Sequence, residues 1–294
     1  MTSATATATP ATAAAARPKR RRRQGQSHLV VHVVLIVGAL LMIAPFLLEL
    51  LLSVESYAEA TAVPLNFWPG KWLWSNYSDV FGAMPFRAMF VNTVLMTAGR
   101  TLGQLIFCSL AGFAFARLKF RGSGVVFGLF LSVLMVPSQL FLIPQYEIIN
   151  DLHLLNSLPA LFLPGIFSAF GTFLMRQFFL QLPREVQEAA YIDGAGPFQT
   201  FWRVMLPLAR PGLVALAILV IIWSWNDLLW PLVVNTDPSS MPVSAGLATL
   251  QGQYLTNYPV LMAGSLMASI PLIAIFVIFQ KHFIEGIAFS ATKG

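Results

Sequence analysis

The sequence predicts an all-α integral membrane protein with six transmembrane helices and both termini on the cytoplasmic side. Three observations carry that expectation. Hydrophobic residues make up 57% of the 294-residue chain and charged residues only 10%, against roughly 45–50% and about 25% in soluble domains. The mean hydropathy is +0.72. Apolar runs long enough to cross a bilayer recur along the chain, and the basic residues are segregated among the connections between them.

The elements follow in order. Residues 1–27 are Ala/Thr-rich and then basic, with no core-forming pattern, and are expected to be a disordered cytoplasmic tail. Six of the 18 Lys and Arg lie between Arg17 and Arg23. Such a run also suits nucleic acid, but directly before an apolar segment it reads as a topological signal, with no nucleic-acid partner. The first apolar run, 29–52, reaches about 36 Å as a helix, against roughly 30 Å of hydrocarbon. It is far longer than the apolar region of a cleaved signal peptide, although Ala58-Glu59-Ala60 has the form of a cleavage site. Residues 28–87 therefore read as a first span with an outer segment. A core over 88–285 follows, with spans expected at 88–116, 124–148, 157–181, 212–234 and 260–283, and 286–294 forms a cytoplasmic C-terminal tail. Pro137, Pro144 and Pro164 fall inside the third and fourth spans, where neighbouring helices must satisfy the carbonyls they free.

Lys and Arg set the orientation. With the N-terminus inside, the inner side holds the six tail residues, Arg117, Lys119, Arg121, Arg176, Arg184, Arg203, Arg210, Lys281 and Lys293. The outer side holds only Lys71 and Arg87, and Arg100 lies within the second span. The outer segments are then 53–86, 150–156 and 235–259. The first carries Phe67, Trp68, Trp72, Trp74 and Tyr77, the composition of a headgroup interface.

The most polar part of the second half is 183–211, on the inner side. Pro183 suits a helix start, with Glu185 and Glu188 favourable near its N-terminus. The helix is expected to stop at Gly194 or Gly196, and Pro197 to begin another. In the second, Phe198, Phe201, Trp202 and Met205 fall at helical spacing on one apolar face. The result is a helical hairpin with a greasy side toward its own membrane domain and a polar end shaped for a groove on a soluble partner. An amphipathic connector on the membrane surface would read similarly.

The residues resolve that choice by resemblance. Glu188-Ala189-Ala190, Gly194, Val204 and Leu206-Pro207 resemble the signature loop of permease subunits of binding-protein-dependent ABC importers, with Val204 where isoleucine is usual. Ala114-Phe115-Ala116-Arg117, Phe120-Arg121-Gly122, Ile143-Pro144-Gln145-Tyr146, Ile192-Asp193-Gly194-Ala195-Gly196, Trp225-Asn226-Asp227 with Pro231-Leu232, Gln280-Lys281-His282-Phe283 and the final Lys293-Gly294 are similar to the maltose-type carbohydrate permease group. The likeness covers about 90–294. It implies the type I ABC importer transmembrane fold. It also implies that the hairpin docks on a cytoplasmic ATPase, with Glu188, Ala189, Ala190, Asp193, Gly194 and Gly196 at the docking surface. The partners implied are a second homologous permease, two ATPase subunits carrying ATP and Mg, an extracytoplasmic solute-binding protein, a carbohydrate and membrane lipid, in a bacterial-type plasma membrane.

The chain itself lacks catalytic signatures. No G-x-x-x-x-G-K-[ST] occurs, Gly70-Lys71 being a chance pair, and there is no H-E-x-x-H. His28, His32, His153 and His282 have no ligand spacing, and the lone Cys108 can form neither an intrachain disulfide nor a Cys-based metal site. No enzyme activity, metal or cofactor is therefore expected on this polypeptide. Arg100 is an intramembrane charge, flanked by Gly99 and Gly103, a spacing that permits close helix approach. Trp223, Asn226, Asp227 and Trp230 share a face if the fifth span is an unbroken helix. They read either as a sugar pathway or as an interhelical polar clamp, with Arg100 a partner. An ion-coupled secondary transporter centred on Asp227, or a scaffold signalling through the hairpin, are the competing functions.

Overall fold

The computed structural model describes residues 24–64, 68–252 and 256–291, with side chains from Val30 to Gln280. The expected tail at 1–23, Phe67 and Lys293-Gly294 lie outside the described residues. The regular elements among the described residues are all helices, without strands. They divide into two units at Leu48/Glu49. The described part of the first unit belongs to one helix, α1, Gln24–Ser53. It begins before the expected 29–52, so Gln24–Ser27 are helical rather than part of the tail.

The second unit is organised on α4, Phe86–Arg117. Short helices α2 (Tyr57–Ala60) and α3 (Ser75–Ala83) precede it. Ser56 and Glu59 close a capping box on α2, and the Ser56 hydrogen bonds hold the Glu59 carboxyl below the ordinary carboxylate range. After α4 come α5 (Ser123–Ser132), α6 (Leu142–Asp151), α7 (Leu158–Phe162) and α8 (Ala169–Gln181), then α9 (Arg184–Ile192), α10 (Pro197–Thr200) and α11 (Leu206–Leu208). The last four are α12 (Arg210–Trp225), α13 (Leu229–Val234), α14 (Val243–Thr249) and α15 (Tyr258–Ala291).

Three buried clusters follow one another along α4. Phe86 and Met89 pack with Val80 and Met84 and with Met241, Val243, Val260 and Ala263. Met96 joins Ile149, Ala160, Leu161, Trp230 and Val234. Cys108 and Phe113 join Met175, Phe179, Phe201, Met205 and Leu216. The segments expected outside converge at one end of α4. There Asn92 Nδ2 donates to the Ser239 and Met241 carbonyls, and Asn156 Oδ1 accepts from the Thr236 and Asp237 amides. The 183–211 hairpin sits at the other end.

Three expected spans are not straight. The third is two helices, Ser123–Met135 and Ser138–Asp151, at 99°. Pro137 has no N–H to continue the first helix, and Val136 before it is extended (φ −93°, ψ 127°). The fourth bends by 46° between Leu158–Gly165 and Ala169–Gln181. The fifth stops at Trp225 and resumes at Leu229. Pro144, by contrast, lies in the first turn of α6, where its missing donor costs little. The final helix runs to Ala291, so most of the expected tail at 286–294 is helical. By length and composition Val30–Ser53, Phe86–Arg117 and Tyr258–Gln280 each suffice to cross a membrane.

Close approach of α4 and α8 depends on Gly112, where an added Cβ would lie 2.8 Å from both the Arg176 amide nitrogen and Met175 Cβ. Backbone cannot yield as a flexible side chain does. Gly112→Leu is expected to cost about 3 kcal/mol or more and to lower the melting midpoint in detergent. Gly128→Leu, at a position with nothing within 4 Å, is expected to melt like the unaltered chain.

Candidate docking hairpin and intramembrane polar cluster

The hairpin is built from local rules. Glu185 lies in the first turn of α9. At its end Gly194 takes φ +82°, a conformation glycine adopts without penalty. The Gly194 amide donates to the Tyr191 carbonyl and the Ala195 amide to the Ala190 carbonyl, which is the Schellman closure. Gly196 then caps α10 with Pro197 at its first position. Of the two stops expected from sequence, Gly194 is the one used; Gly196 instead opens α10, which Pro197 begins as expected.

The apolar face differs from expectation. Phe201 and Met205 are buried, but Phe198 and Trp202 are exposed and pack edge-to-face on each other. Phe201–Met205 forms a π-helical turn. Its wider turn spreads the four residues into two stripes. Phe201 sits between Phe113 of α4 and Phe179 of α8, at ring-centroid distances of 5.3 and 6.2 Å.

At the outer surface of the hairpin Glu188, Ala189, Asp193, Gly194 and Gly196 are all exposed, whereas Ala190 is buried with Gln187, one turn apart on the inner face of α9. Ala190 is thus withdrawn from the expected surface. Ile192 is 86% exposed beside it, a residue the motif alone does not mark.

At the base of the hairpin, Arg117 at the end of α4 donates from Nε and Nη2 to the Phe179 carbonyl and from Nη2 to the Leu182 carbonyl. Arg176 of α8 returns a bond of 3.3 Å from Nε to the Phe115 carbonyl of α4. Its guanidinium lies 4.5 Å from the Phe127 ring centroid.

Toward the other end of α4, Arg100 Nη1 donates to Asp227 Oδ2 at 2.7 Å, and Nε to the Leu161 carbonyl at 2.9 Å. The G-x-x-x-G spacing works as expected: a Cβ at Gly99 would meet Phe162 at 2.9 Å, and one at Gly103 would meet Ile166 at 2.6 Å. The polar residues answer the break in the fourth span. Pro164 cannot donate to the Ala160 carbonyl, and the Trp230 indole does so instead at 2.9 Å. Arg100 takes the Leu161 carbonyl, and Gln104 Nε2 takes that of Gly165 at 2.8 Å. Gln104 lies one turn beyond Arg100, and that helical spacing was a usable signal.

Arg100, Asp227 and Trp230 therefore come together as a clamp, while Trp223 and Asn226 do not join it. The helix ends at Trp225, and Asn226 turns its amide back to the Ile222 carbonyl at 2.8 Å. Trp223 packs on Phe170 at 5.1 Å. Asn226 instead borders a cleft of about 210 Å³ with Trp225, Ser244, Ser265 and Ser269.

Buried aromatics hold the hairpin and leave its tip exposed, beside apolar helices broken within their length. The family described as "Binding-protein-dependent transport system inner membrane component" matches residues 108–288, and the chain belongs to it. An arabinooligosaccharides transport system permease protein, AraQ, of Halalkalibacterium halodurans is 35% identical, over 87% of this chain and 93% of the relative. An sn-glycerol-3-phosphate transport system permease protein, UgpE, of Yersinia enterocolitica is 33% identical, over 87% and 94%. A chain of a bacterial ABC transporter involved in the import of the acidic polysaccharide alginate superposes with TM-score 0.78 at 25% identity, covering 91% of this chain and 100% of that one. The likeness to importer permeases thus holds, and the ion-coupled and scaffold readings give way. The Asp227 carboxylate on which the ion-coupled reading depended is engaged by Arg100.

Proposed function

We propose that this chain is one half of the membrane-spanning pair of an ATP-driven carbohydrate importer, a multi-pass protein of a bacterial-type plasma membrane with both termini cytoplasmic. Its six spans are α1, α4, the α5–α6 pair, the α7–α8 pair, α12 with α13, and α15. A second homologous permease completes the pathway, a solute-binding protein delivers substrate outside, and lipid surrounds the spans. ATP and Mg belong to two cytoplasmic ATPase subunits, because this sequence has no phosphate-binding loop. Trp223 and Asn226 border the pathway, whereas Arg100, Asp227 and Trp230 hold the helices around it.

The observation that carries the reading is the exposed tip formed by Glu188, Ala189, Asp193, Gly194 and Gly196 on a hairpin anchored by Phe201. Gly196 has φ −71° and open space where a Cβ would lie. The fold itself does not need glycine there; a partner surface pressed close does. Gly196→Trp should leave the chain folded and still bound to the second permease, while the ATPase is lost on co-purification in mild detergent. Retention of the ATPase at wild-type yield would remove the hairpin from the docking surface. Gly194 is the poorer probe, since its positive φ strains any substitution.

The substrate class follows from the relatives. Two of the three are named for carbohydrates and one for a polyol phosphate. The UgpE likeness favours the second reading, a phosphorylated polyol. Competition of arabinotriose and sn-glycerol-3-phosphate for uptake by proteoliposomes of the assembled importer separates the two.

A further inference from the structure

We propose that Arg117 is a positioning residue that makes α4 and the hairpin one mechanical unit, so that displacement of the hairpin moves α4. The inference rests on the importer reading above and names how force leaves the hairpin. Continuity of the chain cannot carry it. Between α8 and α9 stand Leu182 (φ −69°, ψ 145°) and Pro183 (φ −59°, ψ 137°), both extended. Two extended residues form a joint, not a rod. A push on α9 would fold at that joint unless something held it.

Arg117 holds it. Its guanidinium donates to the carbonyls of Phe179 and Leu182, one on the last turn of α8 and one at the joint itself. The Phe179 carbonyl also takes the Leu182 amide at 3.3 Å, whereas the Leu182 carbonyl lies past the helix end, and a planar fork engages both in a way an ammonium cannot. An ordinary helix cap would stay within one helix. This one comes from the end of a different helix, the one that packs most extensively on α8 and α12. Arg176 returns the bond to Phe115, so the two helices exchange arginines across the same contact. Phe201 and Met205 fasten the other arm of the hairpin to the same place. The middle of α4 carries the Arg100 clamp on α7 and on Asp227 beyond the end of α12. A displacement delivered at Arg117 therefore reaches the broken fourth and fifth spans through one rigid helix.

The test uses the assembled importer with its second permease and ATPase, spin-labelled at Glu185→Cys and Lys119→Cys, both exposed positions outside the residues assigned to the docking surface. Distances are measured without nucleotide and after trapping with ATP and vanadate. In the parent chain one narrow distance is expected in both states. In Arg117→Met the ATPase should still co-purify and hydrolyse ATP within about twofold. The trapped distance should spread, with the fraction at the parent value falling about tenfold, the scale of ordinary coupling between sites. Arg117→Lys, which keeps the charge but not the fork, should fall between. An unchanged trapped distance in Arg117→Met overturns the inference, as does loss of assembly in both variants, which would make Arg117 merely structural. A parent chain that recovers no ATPase fails earlier, and then the importer reading falls and this one with it.

Discussion

Asp227→Leu is expected to destabilise the folded chain by about 3–5 kcal/mol, because it strands the Arg100 cation in a nearly buried site. The Arg100 side chain is 11% exposed and its only carboxylate partner among the described residues is Asp227. Its remaining acceptor, the Leu161 carbonyl, solvates a dipole's worth of charge and no more. Arg100→Met should cost a similar amount for two reasons at once. It strands the carboxylate, and it leaves the Leu161 carbonyl unpaired, worth about 1–3 kcal/mol on its own. The double variant, Arg100→Met with Asp227→Leu, removes both charges and keeps only the carbonyl penalty. It should melt well above either single variant in detergent. Strictly additive single effects would show that the pair is not coupled, and would leave Asp227 free for a role in the pathway.

That outcome also decides between the two uses of this cluster that residue spacing left open. The spacing argument assumed one helix through Trp223, Asn226, Asp227 and Trp230. The chain instead turns at Asn226, so Trp230 reaches the Ala160 carbonyl from a separate short helix and Asn226 looks into the serine-lined cleft. Hydropathy measures how apolar a stretch is, not its direction. A right-angle turn at Val136 and Pro137 therefore leaves the same hydropathy trace as a kinked span. What was legible rested on local stereochemistry. Gly194 and Pro197 end one helix and start the next, and Gly99 and Gly103 permit a close crossing. What was not legible rested on contacts remote in sequence. The hydrogen bonds of Arg117 and Arg176 could not be read from their charge or from the motif that holds Arg117, because the carbonyls they bind lie about sixty residues away. Cys108 had no local signal either, and the fold uses it as packing beneath Phe113 and Met175.

Phe201→Ala and Phe198→Ala, three positions apart on one short arm, are expected to fail in opposite ways. Phe201 is 1% exposed and touches the rings of Phe113, Phe179 and Trp202. Its loss opens a cavity where α4, α8 and the hairpin meet, at about 3–5 kcal/mol. Thermal stability should drop, and limited proteolysis should cut the hairpin at its tip, since the Phe113–Phe179 contact survives and keeps the two long helices together. Phe198 is 67% exposed, so its removal should change stability by no more than about 0.5 kcal/mol. Its effect should appear only against the ATPase, where loss of an exposed aromatic anchor of about 2 kcal/mol weakens docking some thirtyfold. A chain built as one continuous apolar face would lose stability at both sites. The π turn is what separates them. It turns Phe201 and Met205 inward to grip the membrane domain and leaves Phe198 and Trp202 exposed, so a four-residue greasy stripe presents two surfaces. If Phe198→Ala lowers the melting midpoint as far as Phe201→Ala does, the stripe faces one way only and the docking surface is confined to α9 and its Gly194 turn.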